Sequence, residues 1–516
     1  MATEIVAANI IAERTMQQSR PIVWSIAASD SGGGAGIQAD LNTIHSLECH
    51  GCTVITAITA QNSVSVEKIH PISAVDLAAQ WQALEKDLLP KAIKIGLLPE
   101  PNTLRWLARH LKELRLNNDF FCIWDPVLKA STGARFLDAF DRGEIDPLLN
   151  QTDLITPNLQ EAEMLTKIKI TSLSDIQLAA KQLLDRGVNN VLIKGGHSFD
   201  NSDVCRDYFA NQAQSFWLCH ARQDQPNNHG TGCSLASAIA SFVAKGSSLS
   251  DSIVLANRFI QQGLRLAAPQ GKGAGPVWQA ALENHPADLA ILVKAAEHSQ
   301  VTSTAFPKAK SLGLYAIVNT LDDLLRLMDQ GINTFQWRDK SLHARNGLSE
   351  EQRLVLMQAI ALCKEKNTPL YINDNWQLAL EFNAYGLHLG QEDLAALTDE
   401  DLKHIKNRGL YLGISCHNET ELAYAHSLKP SYLAFGPVFT PKSKIVDHPP
   451  LGLLKLTQWQ SSYGAIYPTT CIGGIERDNL DQVLACGIES VAVISALNDE
   501  SSTAFIKAFQ HRITAP

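Results

Sequence analysis

Residues 22–47 read IVWSIAASDSGGGAGIQADLNTIHSL, and their order sets the fold of the first half of the chain. Ile22–Ala27 is a short apolar run, a serine and glycine cluster follows, and Ile37–Leu47 then takes up helical spacing. Strand, glycine turn and helix make one βα step, and the step recurs downstream. Val54–Thr59 reads as a strand, Val75–Leu88 as a helix, and Phe121–Trp124 as a strand closed by Asp125-Pro126. Leu154–Thr156 and Val191–Lys194 are further strands, each followed by a helix-compatible stretch. Two helices, Gly230–Lys245 and Leu249–Ala267, end this half. The alternation predicts an α/β sandwich, a mostly parallel sheet covered by helices on both faces.

The pattern changes after residue 278. Val277–Ser299 is helix-compatible with no strand pattern, and Gln300–Lys310 is polar with Pro307. Residues 279–310 therefore read as a connector between a domain at 20–278 and a second at 311–516. From Leu312 onward eight short strand candidates follow: Leu314–Val318, Thr334–Trp337, Leu370–Asn373, Gly386–Leu389, Tyr411–Ser415, Tyr432–Phe435, Thr470–Ile472 and Ser490–Ile494. Eight βα units in about 200 residues predict a (β/α)8 TIM barrel. Arg338, Asp374, Gln391, His417, Lys444, Gly474 and Ser495 stand just after the strands, at the end where such barrels carry their sites. Loops are polar in any case, but one such cluster after nearly every strand favours a site.

Composition sets outer bounds. The 516 residues exceed one compact core and, at roughly 100–200 residues per domain, suggest about two to four domains. With 45% apolar and 19% charged residues the chain is neither disordered, collagenous nor a coiled coil. The net charge of −9 provides no global field for nucleic acid or an acidic membrane, and no apolar run is long enough to span a bilayer. The start of the chain carries Glu4 and Glu13 within its apolar stretch and lacks the basic opening of a signal peptide. Ten scattered cysteines read as reduced thiols of a cytoplasmic protein, and Cys49-His50-Gly51-Cys52 as core cysteines rather than half a zinc site.

The chemistry of the first half lies at its loops. Ser29 to Gly36 lets backbone approach a ligand at a helix start, although alone it serves equally well as a structural turn. His229-Gly230-Thr231-Gly232-Cys233 also opens a helix, and its N–H groups and dipole can hold phosphoryl charge. Between them, Glu161 can order magnesium or simply complement its helix dipole, and Lys194 can neutralise nucleotide phosphates.

In family order, SIAASDSGGGAGIQAD (25–40), GCTVITAITAQNS (51–63), KIGLL (94–98), DPVLKASTG (125–133), TPNLQEAE (156–163), IKGGH (193–197) and NHGTGCSLASAIA (228–240) resemble the ribokinase superfamily, specifically its hydroxymethylpyrimidine/phosphomethylpyrimidine kinases. The resemblance implies that Asp40 and Gln61 contact the pyrimidine. It also places Asp125, Asn158 and Glu161 near magnesium and nucleotide phosphates, with Lys194, Gly230 and Gly232 at ATP. Cys233 would stand in the base position, where a thiolate beside a helix N-terminus is physically plausible. Ala28 departs from the usual glycine, and its methyl either narrows the pocket or is neutral.

In the second half Arg338 and Lys340 put two cations after one strand, and Asp374 and Asp393 put carboxylates after the next two. Paired carboxylates can share a magnesium ion bound to a diphosphate, while the cations hold its remaining charge. The glycines after the seventh strand suit a phosphate. QWRDK, IND, HLGQED, LGISCH, FGPVFTPKSK, CIGGI and VAVISAL resemble thiamine phosphate synthase over about residues 312–510. That resemblance implies that Gln336, Arg338, Lys340 and Asn373 bind a pyrimidine diphosphate, that Asp374 and Asp393 hold Mg2+, and that Ser415 and Lys444 contact the diphosphate. Ser443, Gly474, Ile494 and Ser495 would hold thiazole phosphate. Pro441 replaces a threonine of the phosphate loop, which bears on thiazole-phosphate affinity.

Together the two halves imply consecutive steps of thiamine synthesis. MgATP would phosphorylate hydroxymethylpyrimidine twice, and the barrel would join the diphosphate to thiazole phosphate with release of pyrophosphate. The partners are then small molecules only, in a homo-oligomer. The alternatives are a pyridoxine or pyridoxal kinase in the first half, which shares the fold and Cys233, or a non-catalytic ligand sensor in either half.

Overall fold

The structure is a computed structural model describing residues 19–127, 142–196, 203–294, 304–339, 349–440, 449–497 and 502–514. The chain divides into two compact units with the boundary near residue 300.

In the first unit, ten strands form one sheet: β1 (Ile22–Asp30), β2 (His50–Gln61), β3 (Val66–Pro71), β4 (Ala92–Ile95), β5 (Phe121–Trp124), β6 (Leu154–Ile155), β7 (Asn190–Ile193), β8 (Val204–Asn211), β9 (Ser215–Ala221) and β10 (Ile291–Val293). Their order is β10-β9-β8-β7-β6-β5-β4-β1-β2-β3. From β7 to β2 the neighbours run parallel; β3, β8, β9 and β10 are antiparallel additions at the edges. The chain reverses direction across the sheet at β1, between β4 and β2. Ligands of doubly wound sheets bind at such a switch point, beyond the carboxyl ends of the strands.

Successive strand residues face opposite sides. Trp24, Ile26, Ile93, Ile95 and Trp124 pack with Leu77 and Trp81 of the helix Ala74–Glu85 and with Leu104, Leu107 and Leu111 of Pro101–Leu114. Trp24 and Trp81 meet edge to face with ring centres 5.2 Å apart. The helices Gly36–Ser46 and Thr231–Ala244 pack on each other and on β1. Lys94 alternates with Ile93 and Ile95, so it faces these two helices rather than the tryptophan core. Ala28 is buried in a small cluster with Ala57 and Leu97, where its methyl is core packing.

The helical reading of the segment after residue 277 is corrected. Ile291–Val293 extends the sheet as β10, paired antiparallel with Trp217–Cys219 of β9. The stretch before it is tied to the helix Leu249–Arg265: Arg265 binds both carboxylate oxygens of buried Asp288 at 2.9 and 2.8 Å, and Gln262 bonds Ala281 O. The far end belongs to the other unit, because the N–H groups of Phe306 and Ala309 donate to Lys429 O and Ser431 O.

In the second unit, β11 (Leu314–Val318), β12 (Thr334–Trp337), β13 (Leu370–Asn373), β14 (Gly386–Leu389), β15 (Tyr411–Cys416), β16 (Tyr432–Phe435), β17 (Thr469–Cys471) and β18 (Val491–Val493) close into a parallel barrel, with β18 paired back onto β11. A helix follows each strand. The TIM barrel expectation holds. Inside, Tyr315, Tyr371 and Tyr432 fill the lumen. Room for two of these rings comes from glycines on neighbouring strands. A Cβ on Gly413 would lie 2.0 Å from Tyr432 Cζ, and one on Gly386 would lie 2.6 Å from Tyr371 Cδ1.

Candidate active sites

In the sandwich, the loops after β1, β5, β6 and β7 converge on the start of the helix Thr231–Ala244. Gly230 caps that helix at φ +79°, and a Cβ there would sit 2.0 Å from Gly34 O. A Cβ on Gly34 would in turn meet His229 Cδ2 at 2.3 Å. The two glycine loops therefore interlock, which only residues without side chains allow. Gly232 faces Lys194 and Asp125: a Cβ there would lie 3.1 Å from the Lys194 ammonium and 3.4 Å from Asp125 Oδ2. Lys194 donates to Asp125 Oδ1 at 2.6 Å, and both are largely buried. Burial alone would lower the Lys194 pKa, but Asp125 and then Glu161 outweigh it and raise it, so Lys194 is a fixed cation at the helix start.

Asn158 and Glu161 form a capping box for the helix Leu159–Thr166, with Asn158 N–H donating to Glu161 Oε2 at 2.8 Å and Glu161 N–H to Asn158 Oδ1 at 2.9 Å. The helix-start role weighed for Glu161 is thus realised, and one of its oxygens is committed. Among the described residues no group of three His, Cys, Asp or Glu side chains is placed to hold a metal.

Asp40 receives a role other than the expected pyrimidine contact. It is fully buried, and its carboxylate accepts from Lys94 at 2.8 Å on both oxygens, from Ser25 at 2.6 Å and from Ser237 at 2.8 Å. No face of it is open to a ligand; it anchors Lys94, whose own burial it outweighs so that the ammonium stays charged. Gln61 instead lies at the rim, 3.3 Å from His229 Nε2 and 3.4 Å from Asp30 Oδ2. Asp30 accepts N–H bonds from Gly32, Gly34 and Ala35. Burial pushes its pKa up, but His229 and then these N–H groups outweigh burial and hold it below the usual carboxylate range.

The thiolate expected at Cys233 is also corrected. Burial raises its pKa to about 11, the positive charge of Lys94 opposes that, and Asp40 adds to it. The resting group is a neutral thiol. Cys233 is partly exposed, whereas the other nine cysteines, Cys49 and Cys52 among them, are unpaired and buried.

In the barrel, polar side chains gather at the carboxyl ends of the strands. Asp374 adopts the left-handed conformation at φ +62°, a strained setting for a non-glycine residue, and its N–H donates to His388 O at 2.8 Å. Asn373 donates to Asp374 Oδ2. The carboxylates of Asp374 and Asp393 both point at Gly390, where a Cβ would lie 4.0 and 3.6 Å from them. The expected carboxylate pair is therefore brought together. Arg338 follows β12, and its charge reaches His388. Ile494 and Ser495 are exposed just past β18. Gly473 and Gly474 take φ +106° and +64° under the loop after β16, with Phe439 N–H donating to Gly473 O at 3.0 Å. Lys340, Ser443, Lys444 and Pro441 lie outside the described residues.

Below this rim runs a polar chain that the sequence did not reveal. Gln336 Nε2 lies 3.2 Å from Tyr315 OH, Tyr315 OH 2.8 Å from Tyr432 OH, Tyr432 OH 2.8 Å from His388 Nδ1, and His388 Nε2 2.8 Å from Ser415 Oγ. Burial, then the charges of Arg338 and His417, lower His388 to about 3, so it is neutral at physiological pH.

Comparison with known proteins identifies both halves. The phosphomethylpyrimidine kinase family matches residues 30–278 and the thiamine monophosphate synthase family residues 314–497. A probable thiamine biosynthetic bifunctional enzyme, chloroplastic, from Oryza sativa is 30% identical over 96% of this chain and 89% of its own length. The chain belongs to the bifunctional thiamine-biosynthetic enzymes. The kinase half of this bifunctional enzyme is also 37% identical to the hydroxymethylpyrimidine/phosphomethylpyrimidine kinase of Bacillus subtilis, over 49% of this chain and 92% of that one. Among solved structures, a pyridoxal kinase from Staphylococcus aureus spans 54% of this chain and all of its own at 26% identity, with a TM-score of 0.48. The kinase half is a hydroxymethylpyrimidine/phosphomethylpyrimidine kinase rather than a pyridoxal kinase, and the barrel is a thiamine-phosphate synthase. No helix among the described residues is long and apolar enough to cross a membrane.

Proposed function

We propose that the Lys194–Asp125 pair facing Gly232 is the phosphoryl-transfer centre of the kinase half, and that Asp374 and Asp393 form the cation site of the synthase half. In the kinase, Lys194 and the N–H groups opening the helix Thr231–Ala244 stabilise charge on the transferred phosphoryl group of ATP. Gln61 presents an amide to the aminopyrimidine edge at the rim. Cys233 holds the substrate hydroxyl as a neutral thiol, because a loose phosphoryl-transfer transition state demands little of a base until late. In the synthase, Arg338 and Ser415 hold the pyrimidine diphosphate as its bond to the methylene breaks, and the aminopyrimidine carries the positive charge. The thiazole nitrogen attacks that carbon, and pyrophosphate leaves. Mg2+ would supply charge neutralisation on the diphosphate at Asp374 and Asp393, and on ATP phosphates near Asp125 and Glu161.

The convergence of Asp374 and Asp393 on Gly390 carries the second assignment and the approach of Gly232 to Lys194 the first. Incubation with hydroxymethylpyrimidine, thiazole phosphate and MgATP should yield thiamine phosphate. An Asp393→Ala variant should stop at the pyrimidine diphosphate; unimpaired thiamine phosphate formation by that variant would reject the cation site. The reading also takes the enzyme as a cytoplasmic homo-oligomer, the compartment on the strength of ten unpaired thiols and the assembly because both families tend to self-associate; a monomeric mass by light scattering would reject the assembly.

A further inference from the structure

The chain from Gln336 to Ser415 has a direction. Each tyrosine hydroxyl has one proton to give, and Tyr315 is fully buried, with Gln336 and Tyr432 as its hydrogen-bond partners among the described residues. Gln336 turns its amide nitrogen to Tyr315, so it can only donate there. Tyr315 must then donate onward to Tyr432, because a proton from Tyr432 would leave the Tyr315 hydrogen buried without an acceptor. Tyr432 in turn donates to His388 Nδ1. Because Nδ1 accepts from Tyr432, the His388 ring proton sits on Nε2, and Nε2–H donates to Ser415 Oγ at 2.8 Å. Ser415 accepts that bond, so its own proton is left for whatever lies above it.

We infer that Tyr315, Tyr432 and His388 are positioning residues that make Ser415 an obligate hydrogen-bond donor toward an anionic oxygen. The opposite end of the same chain fixes Gln336 so that its Oε1 accepts from an amino group. Recognition of an exocyclic amine and of a phosphate oxygen are thereby coupled through the barrel interior, and a flipped Gln336 amide would reverse every bond in between. The steric frame is independent of the polar argument. Tyr432 can reach His388 because Gly413 leaves space for its ring, and Tyr315 and Tyr432 are held edge to face with ring centres 5.9 Å apart. The inference rests on the synthase reading for the identity of the anion at Ser415, but the tautomer does not depend on it.

The test uses the full chain labelled with nitrogen-15. Near neutral pH the His388 ring should show the neutral form protonated on Nε2, and Tyr432→Phe, which keeps the ring but removes the hydroxyl, should give a mixture of tautomers. Affinity for inorganic pyrophosphate, read by calorimetry, should fall about fivefold in Tyr432→Phe, the loss of one hydrogen bond's worth of orientation. Protonation on Nδ1, or an imidazolium, in the unsubstituted protein would overturn the inference, as would unchanged pyrophosphate affinity in a folded Tyr432→Phe. The tautomer measurement needs no variant, so it stands even where the substitution prevents folding. Absence of thiamine phosphate formation with a correct tautomer would instead reject the synthase reading.

Discussion

The neutral Cys233 thiol has a measurable consequence. A free cysteine near pKa 8.5 is roughly 3% thiolate at about pH 7. With burial raising Cys233 to about 11, its thiolate fraction at about pH 7 is on the order of one in ten thousand. Alkylation by iodoacetamide should therefore be about 300-fold slower than for a free thiol, and should rise about tenfold per pH unit from about pH 7 to pH 9.5. Because Cys233 is the partly exposed one of the ten, mass spectrometry of the native protein should find the label there first, and Cys233→Ala should remove it. Steric protection would slow labelling equally at every pH, so the slope is what decides. A rate that levels off near neutrality would show a thiolate and refute the reasoning. Cys233→Ser should retain much of the kinase activity if the group positions a hydroxyl, whereas a true thiolate base could not be replaced so cheaply.

Removing Lys94 strands a buried carboxylate, so Lys94→Met should lower kinase-unit stability in urea by about 3–5 kcal/mol, and the pair Lys94→Met/Asp40→Leu should recover most of it. Glu161→Gln keeps the capping box that glutamine also makes, so stability should hold in thermal unfolding. ATP-dependent turnover of that variant should fall if Glu161 also orders magnesium; equal turnover would leave it a cap alone. Gly413→Ala drives a methyl into the Tyr432 ring and should cost synthase activity and at least ~1–3 kcal/mol of barrel stability, with phosphorylation of hydroxymethylpyrimidine intact.

The barrel was legible because its strands are apolar runs punctuated by polar residues: Gly386–Leu389 and Tyr432–Phe435 end where the sequence ends them. Ile291–Val293 was not, since three apolar residues in an alanine-rich stretch have no strand pattern until β9 offers an edge. Hairpin β8–β9 and edge strand β3 are antiparallel additions with no helix between them and their partners, so the βα alternation does not mark them. For Asp40 the residue type was informative and its surroundings were not: the signal was Lys94, a lone charge within the buried strand AIKI. Tyr315 and Tyr432 look like ordinary core aromatics, and their hydroxyls, 117 positions apart in the chain, meet only because the barrel closes. Asp374 and Asp393 could be paired from sequence because adjacent strand ends must be neighbours in a barrel.

Strand β10 bears on how the two catalysts can be separated. The kinase family match stops at residue 278, yet Ile291–Val293 covers an edge of β9 carrying Trp217, Leu218 and Cys219. A kinase cut at the family boundary would expose that row of apolar residues and unpaired amides, a template for aggregation. Divided after Val293, the same half would keep its outer seam closed, so the span between the two enzymes is partly structural property of the first.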